Sequence, residues 1–274
     1  RTRCATVDRR GAVSFALRPV TPWRSVRPAG VRGIERGGGR LACLWERGLD
    51  WLYPQRCWFC GQAAAPGPFC ADHALPGRPR GPRCDWCAGP LPRSVPDGER
   101  CSRCRQAARR APRATVLGDY ALDRGLRDQI LALKHAGRRD LAAPLGAALG
   151  DRWLDVRGRL LGPDGGAYDD VRGPLLVPIP LHPLRRFERG YDQAALLAAA
   201  VAERIDGRCE RLLRRARATA PQGTPGVASR RANVDGAFLL GRGADRPRGA
   251  GERLVVLVDD VGTSGATAAS AART

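Results

Sequence analysis

The chain has 274 residues, of which 43% are apolar, 27% charged and 5% aromatic; these proportions suit one large globular domain or two smaller ones and exclude a fibrous or wholly disordered protein. No run approaches the ~20 apolar residues of a membrane span, so no membrane span is expected. Lys and Arg number 47 against 27 Asp and Glu, a net charge of +20, which permits attraction to nucleic acid or polyphosphates.

Residues 1–40 show weak periodicity and clustered Gly and Arg, and are expected to be disordered or a non-native extension. Their short apolar stretch is broken at Arg18 and Pro19, a poor signal peptide, so a cytoplasmic protein is expected. The segment LACLWERGLDWLYPQ (41–55) reads as a short amphipathic helix stopped by Pro54, with Leu44, Leu49 and Leu52 available for packing. Residues 57–104 are turn-rich and crowded with cysteine, and 41–110 is taken as a short helix followed by a double zinc ribbon. From about Ala111 apolar runs alternate with helix-like segments, so 111–274 is expected to be an α/β domain with a parallel sheet. Residues 1–110 carry 21 basic and 8 acidic side chains, which makes the first part the better candidate for a nucleic-acid surface. Every basic residue but Lys134 is arginine, and that uniformity, with abundant Ala, Gly and Pro, equally suits a biased coding composition.

The cysteines form the first constellation. Cys57, Cys60, Cys70 and His73 are followed after ten residues by Cys84, Cys87, Cys101 and Cys104. A Cys-x2-Cys turn brings two thiolates together and a second pair completes the tetrahedron preferred by Zn²⁺. Gly61 and Gly89, one and two residues beyond the second thiol of each turn, suit such turns. A disulfide-rich domain would need an oxidising compartment. Two structural zinc ions are therefore expected; sequential Cys3His and Cys4 sites are preferred, and a crossed arrangement also satisfies the spacing. A full ligand set leaves no position for a reacting water. Cys4, Cys43 and Cys209 remain as free or buried thiols. Trp58 and Trp86 lie inside the two Cys-x2-Cys loops, and Arg103, Arg105, Arg109 and Arg110 follow. This mixture could stack on bases and contact phosphates, or the tryptophans could cover a small metal-centred core while the arginines stay solvated.

The second constellation closes the sequence. Residues 254–267 read LVVLVDDVGTSGAT, a buried parallel strand ending in Asp259 and Asp260 where open α/β sheets present ligands. Gly262, Thr263, Ser264 and Gly265 then supply hydroxyls and backbone N–H groups at a helix start, a cradle for phosphate. Paired carboxylates before such a cradle repel one another unless ribose hydroxyls or Mg²⁺ engage them. The chemistry wanted is a sugar phosphate, and the lysine of a P-loop is missing.

This motif resembles the phosphoribosyl-pyrophosphate (PRPP) loop of type I phosphoribosyltransferases. With the double zinc ribbon before it, the chain resembles the ComF family of bacterial competence-associated proteins, which includes GntX-like members, from about Leu49 to Thr274. Lys134 in LALKHAG, Val177 to Leu181 (VPIPL), Arg185 to Gln193 (RRFERGYDQ), Arg217 with Thr219 and Gln222, and Arg230, Arg231 and Asn233 belong to the same likeness. The resemblance implies a type I phosphoribosyltransferase-like sheet. It implies that Asp259 and Asp260 contact ribose hydroxyls, directly or through magnesium, and that Val261, Gly262, Thr263, Ser264, Gly265, Ala266 and Thr267 hold the 5′-phosphate. Lys134, Arg185, Arg186 and Arg189 become candidates for pyrophosphate contacts, against plain surface roles.

The resemblance further implies Mg²⁺ with PRPP, a link to single-stranded DNA uptake, and partners among competence, recombination or replication proteins. If the chain is an enzyme, a nitrogen nucleophile displaces pyrophosphate from C1′ of PRPP; no general base is assigned. A non-catalytic scaffold that senses PRPP or nucleotide while binding DNA or partners is the other class. Two departures stand out. Asp192 replaces the Asn of the common RGFNQ pattern, facing phosphate unfavourably or capping the helix that follows. Only Ala268 to Thr274 follow the phosphate loop, so a C-terminally truncated domain is expected, and the absence of methionine with a start at Arg1 suggests a fragment or a displaced start.

Overall fold

The computed structural model describes residues 3–7, 56–64, 69–75, 79–106, 112–161, 173–216, 234, 236–241 and 254–274. The helix expected over 41–55, and Arg217, Thr219, Gln222, Arg230, Arg231 and Asn233, lie outside the described residues. The chain divides into two compact units, Arg18–Ala74 and a larger one combining Arg1–Leu17 with Leu75–Thr274. The first cysteine set falls in the smaller unit and the second in the larger, although the sequence texture changes only near Ala111.

In the larger unit a five-stranded sheet has the order β2-β1-β7-β3-β4, from β1 (Arg3–Val7), β2 (Arg113–Val116), β3 (Leu175–Pro178), β4 (Arg208–Cys209) and β7 (Val255–Asp259). Strand β3 runs parallel to both β7 and β4, which gives the α/β class read from the sequence its parallel core. Strand β1 pairs antiparallel with both β2 and β7, in a stretch where the sequence offers no convincing core element. Strands β5 (Leu213–Arg215) and β6 (Phe238–Leu240) form a separate antiparallel pair.

Strands β3 and β7 are apolar because helices or loops cover both faces, and Leu175, Leu176, Val256 and Val258 are completely buried. Their register sets Leu175 against Val255 and Pro178 against Val258. Ile179 N–H extends the ladder by donating to the Val258 carbonyl at 2.9 Å. The C-terminal ends of the two strands therefore lie side by side, and the segments that leave them emerge at one edge. That edge is where parallel sheets bind ligands.

The helices are α1 (Ser102–Gln106), α2 (Arg124–His135), α3 (Ala142–Leu161), α4 (Pro183–Arg189), α5 (Gln193–Arg204) and α6 (Ala266–Arg273). In α2 the buried residues Leu126, Gln129, Ile130 and Leu133 repeat at helical spacing, and the helix ends with Lys134 and His135. Helices α3 and α5 pack closely because glycine removes the obstacle: a Cβ on Gly146 would stand 2.4 Å from Ala200 Cβ. Asp192 caps α5, accepting from Ala195 N–H through Oδ1 at 3.3 Å, while its Oδ2 accepts from Leu181 N–H at 3.4 Å. It is 7% exposed. Its carboxylate thus ties the β3–α4 connection to the start of α5, so of the two readings of this departure the cap is the one realised. No helix among the described residues is long and apolar enough to cross a membrane.

Candidate functional site

The two cysteine-rich knuckles share one local geometry. In the first, Cys57 N–H donates to Gln62 O at 2.7 Å and Gly61 N–H to Cys57 O at 2.8 Å. In the second, Cys84 N–H donates to Gly89 O and Ala88 N–H to Cys84 O, both at 2.9 Å. This turn needs a left-handed residue one place after the second thiol, which is Gly61 (φ 74°) in the first knuckle and Ala88 (φ 50°) in the second. The turn role expected for Gly89 is corrected accordingly: a Cβ there would meet Cys87 Sγ at 3.2 Å, so its bareness makes room beside a thiol.

The structure gathers the sequential sets rather than crossed ones. Ligand atoms of Cys57, Cys60, Cys70 and His73 lie within 4.8 Å of one another, as do those of Cys84, Cys87, Cys101 and Cys104. A tetrahedron with Zn–S bonds of about 2.3 Å has edges of about 3.8 Å. Cys60 and Cys70 Sγ are 3.7 Å apart and Cys87 and Cys101 Sγ 3.9 Å apart, while Cys70 Sγ lies 3.2 Å from His73 Nδ1. Disulfides, at about 2.05 Å, are far shorter. Burial opposes the Cys57 thiolate, yet N–H groups of Cys60, Cys70 and Phe59 outweigh it and lower the pKa to about 6. Hydrogen bonds from the Cys104 and Cys87 thiols hold Cys84 well below the usual thiol range, while the hydrogen bonds of Cys104 to Cys84 and Cys87 push Cys104 above it. Four sulfurs this close cannot all carry charge without a cation, and thiolate with imidazole is the donor set of zinc. Cys209 stands apart, half-buried, with burial raising its pKa.

Trp86 is 2% exposed, with the Arg100 and Arg113 guanidiniums over its ring at 4.2 and 4.3 Å. It packs the second metal core and is not available to stack on bases. Trp58 is 43% exposed. The second ribbon is joined to the sheet by Ala114 N–H donating to Trp86 O at 2.8 Å and by Arg83 paired with Asp119 at 3.3 Å, both of the latter buried.

At the end of β7, Asp260 is buried and accepts at Oδ2 from Gln193 Nε2 at 2.7 Å and from Lys134 Nζ at 3.1 Å. Its own N–H donates to Asp259 Oδ1 at 2.9 Å. Burial first, and the Asp260 charge second, raise the Asp259 pKa to about 7, against the pull of Lys134. Arg189, from α4, and Lys134 both disfavour a charge on His135, whose pKa burial already lowers. The Arg189 Nη1 and Gln193 Oε1 atoms are buried without a hydrogen-bond partner among the described residues. Arg185 acts on Arg215 of β5, which burial and that like charge shift downward while Asp259 opposes the shift. Arg186 is exposed.

The segment 261–265 links β7 to α6. Gly262 is buried, and Val261, Thr263, Ser264, Gly265, Ala266 and Thr267 are half-buried. Ser264 Oγ accepts from Ala266 N–H at 3.3 Å, and Gly265 adopts a left-handed φ of 76° that favours glycine. Arg103 Nη1, from the second ribbon, donates to the Ser264 carbonyl at 2.9 Å. Sequence reasoning gave Gln193 no role at this site, did not name Arg215 and placed Arg103 on a ribbon surface. Only the RGYDQ likeness held a signal for Gln193; Arg215 and Arg103 reach the site through tertiary pairing alone.

A family model described as a double zinc ribbon domain matches residues 48–105. The chain is similar to curated proteins named DNA utilization protein YhgH from Escherichia coli O6:H1, Escherichia coli O157:H7 and Shigella flexneri. Each is 29% identical over 227 residues, 80% of this chain and 90% of the relative. No solved structure matches the chain. Together with the paired ligand sets, these findings identify two zinc-binding ribbon sites and support the ComF-like resemblance.

Proposed function

We propose that the chain is a type I phosphoribosyltransferase-like protein that binds PRPP at the joint C-terminal edge of β3 and β7 and serves DNA uptake in the cytoplasm. The observation that carries the reading is the Asp259–Asp260 pair, ending a buried strand immediately before a small-residue loop. Asp259 and Asp260 would accept from the ribose hydroxyls. Backbone N–H groups and the hydroxyls of Thr263, Ser264 and Thr267 would hold the 5′-phosphate. Arg189 brings a buried, unpartnered donor, and Arg185 and Arg186 add charge for the pyrophosphate. Lys134, held on Asp260, can move to the diphosphate or keep the carboxylate in place.

Hard carboxylate oxygens beside these donors suit Mg²⁺ bound with the substrate; bound there, it would neutralise charge on the leaving pyrophosphate. The chain's residues align the sugar and stabilise departing negative charge, the demands of an oxocarbenium-like displacement by a nitrogen nucleophile. The DNA association draws on the names of the similar proteins and on the excess of basic residues. Binding of Mg–PRPP by calorimetry tests the site. Micromolar affinity, lost in Asp259→Asn/Asp260→Asn, is the expected result; equal affinity in the double variant overturns the assignment, and release of pyrophosphate with a panel of bases tests turnover.

A second reading, a non-catalytic scaffold for single-stranded DNA or for competence, recombination or replication proteins, is favoured by Leu184 and Phe187. These residues of α4 are 65% and 89% exposed among Arg185, Arg186 and Arg189, a combination able to stack on bases and meet phosphates. Oligonucleotide binding weakened by Phe187→Ala, without pyrophosphate release by the wild type, would favour it.

A further inference from the structure

Arg103 stands between the third and fourth thiols of the second zinc set, and the knuckle fixes its place. Cys101 N–H donates to Cys84 Sγ at 3.3 Å, and Cys104 and Arg105 N–H both donate to Cys101 O at 3.0 Å. The ribbon itself is anchored to the sheet through Trp86 with Ala114 and through Arg83 with Asp119. Its guanidinium then meets one atom of the phosphate loop, the Ser264 carbonyl.

That carbonyl belongs to the peptide unit whose N–H is contributed by Gly265. A trans peptide is planar and its C=O and N–H point in opposite directions, so fixing one fixes the other. The Ser264–Gly265 peptide can also turn over at little cost, because Gly265 occupies the left-handed region and, as glycine, is not confined to it. We propose that the Cys84/Cys87/Cys101/Cys104 zinc knuckle sets the orientation of the phosphate loop, with Arg103 as a positioning residue that holds the Ser264 carbonyl and thereby turns the Gly265 N–H toward the bound phosphate. This inference rests on the sugar-phosphate reading of the loop. It gives the second metal a part in ligand binding without contact between metal and ligand.

The test compares the full-length wild type with Arg103→Ala, Arg103→Gln and Arg103→Lys, each with its zinc content measured. Two zinc ions per chain are expected throughout, since Arg103 is exposed. Calorimetry would use ribose 5-phosphate and inorganic pyrophosphate in turn. Loss of one charge-assisted hydrogen bond should weaken ribose 5-phosphate binding about fivefold in the Ala and Gln variants, leave pyrophosphate binding unchanged, and be partly restored by Lys. Hydrogen exchange of the 262–266 amides, without ligand, should rise severalfold in the Ala and Gln variants. Unchanged exchange and unchanged ribose 5-phosphate affinity in zinc-loaded Arg103→Ala would overturn the proposal. A wild type that binds no ribose 5-phosphate would remove the sugar-phosphate reading, and the exchange comparison would still decide whether the knuckle holds the loop.

Discussion

Lys134 Nζ lies 3.1 Å from Asp260 Oδ2, so the last turn of α2 and the end of β7 meet through one ion pair beside the carboxylate of Asp259. The Lys134 side chain is 19% exposed and that of Asp260 7%, a setting in which removing one partner leaves a poorly solvated charge. Lys134→Ala should therefore destabilise the fold by about 2 kcal/mol at neutral pH and raise the Asp259 pKa further, because Lys134 now lowers it. Chemical denaturation and carboxyl-carbon NMR check the two effects. Lys134→Arg should recover most of both.

The raised Asp259 pKa, at about 7 from an ordinary 3.8, fixes a pH dependence. Between these values the folded state holds more protons than the unfolded one, so this group's contribution to stability falls as pH rises. Asp259→Asn removes the titration. The variant should gain on the wild type by about 2.5 kcal/mol from pH 5 to pH 8, read from denaturation midpoints at both pH values. A constant difference between the two proteins would show that Asp259 titrates at its ordinary value.

Zinc should leave the two sites at different rates. Cys60 is exposed and Cys70 and His73 are half-buried, whereas Cys84, Cys87 and Cys104 are all buried. A chromogenic chelator should release one zinc quickly and the second slowly, and Cys60→Ser should abolish the fast phase while sparing the slow one. A single phase for both ions would contradict the difference in burial.

Ala88 carries a side chain at a φ of 50° where the equivalent turn of the first knuckle has Gly61. The left-handed region costs a non-glycine residue about 1–2 kcal/mol, offset by the greater freedom of glycine in the unfolded chain. Ala88→Gly should raise stability by about 0.5–1 kcal/mol, measured as the denaturation midpoint of the zinc-loaded protein. Ala88→Val should lower it.

The features legible in the sequence are those whose chemistry is local. Cys-x2-Cys spacing makes a turn wherever it occurs, so both ligand sets could be read before any tertiary structure, and the apolar run before Asp259 could only be a buried strand. Asp192 was interpretable for the same reason: an N-cap bonds residues a few places along its own chain. Gln193 on Asp260, Arg215 near Asp259, and Arg103 on Ser264 are set by the docking of separate elements. No periodicity or propensity encodes such pairings. Gly89 reads as the turn residue because it is the glycine nearest the second pair of thiols, whereas the hydrogen-bond register of the knuckle assigns the left-handed position to Ala88.

Lys134 is the only lysine in a chain that otherwise uses arginine for every basic residue. Within these 274 residues one side-chain amine is therefore offered to acyl donors such as acetyl phosphate, and that amine neutralises Asp260. A single acetyl group would erase the charge that separates two neighbouring carboxylates from open repulsion, whereas guanidinium groups elsewhere on the surface would be spared. Peptide mapping after mild acetylation should find one modified side chain, and the extent of its modification should track the loss of stability.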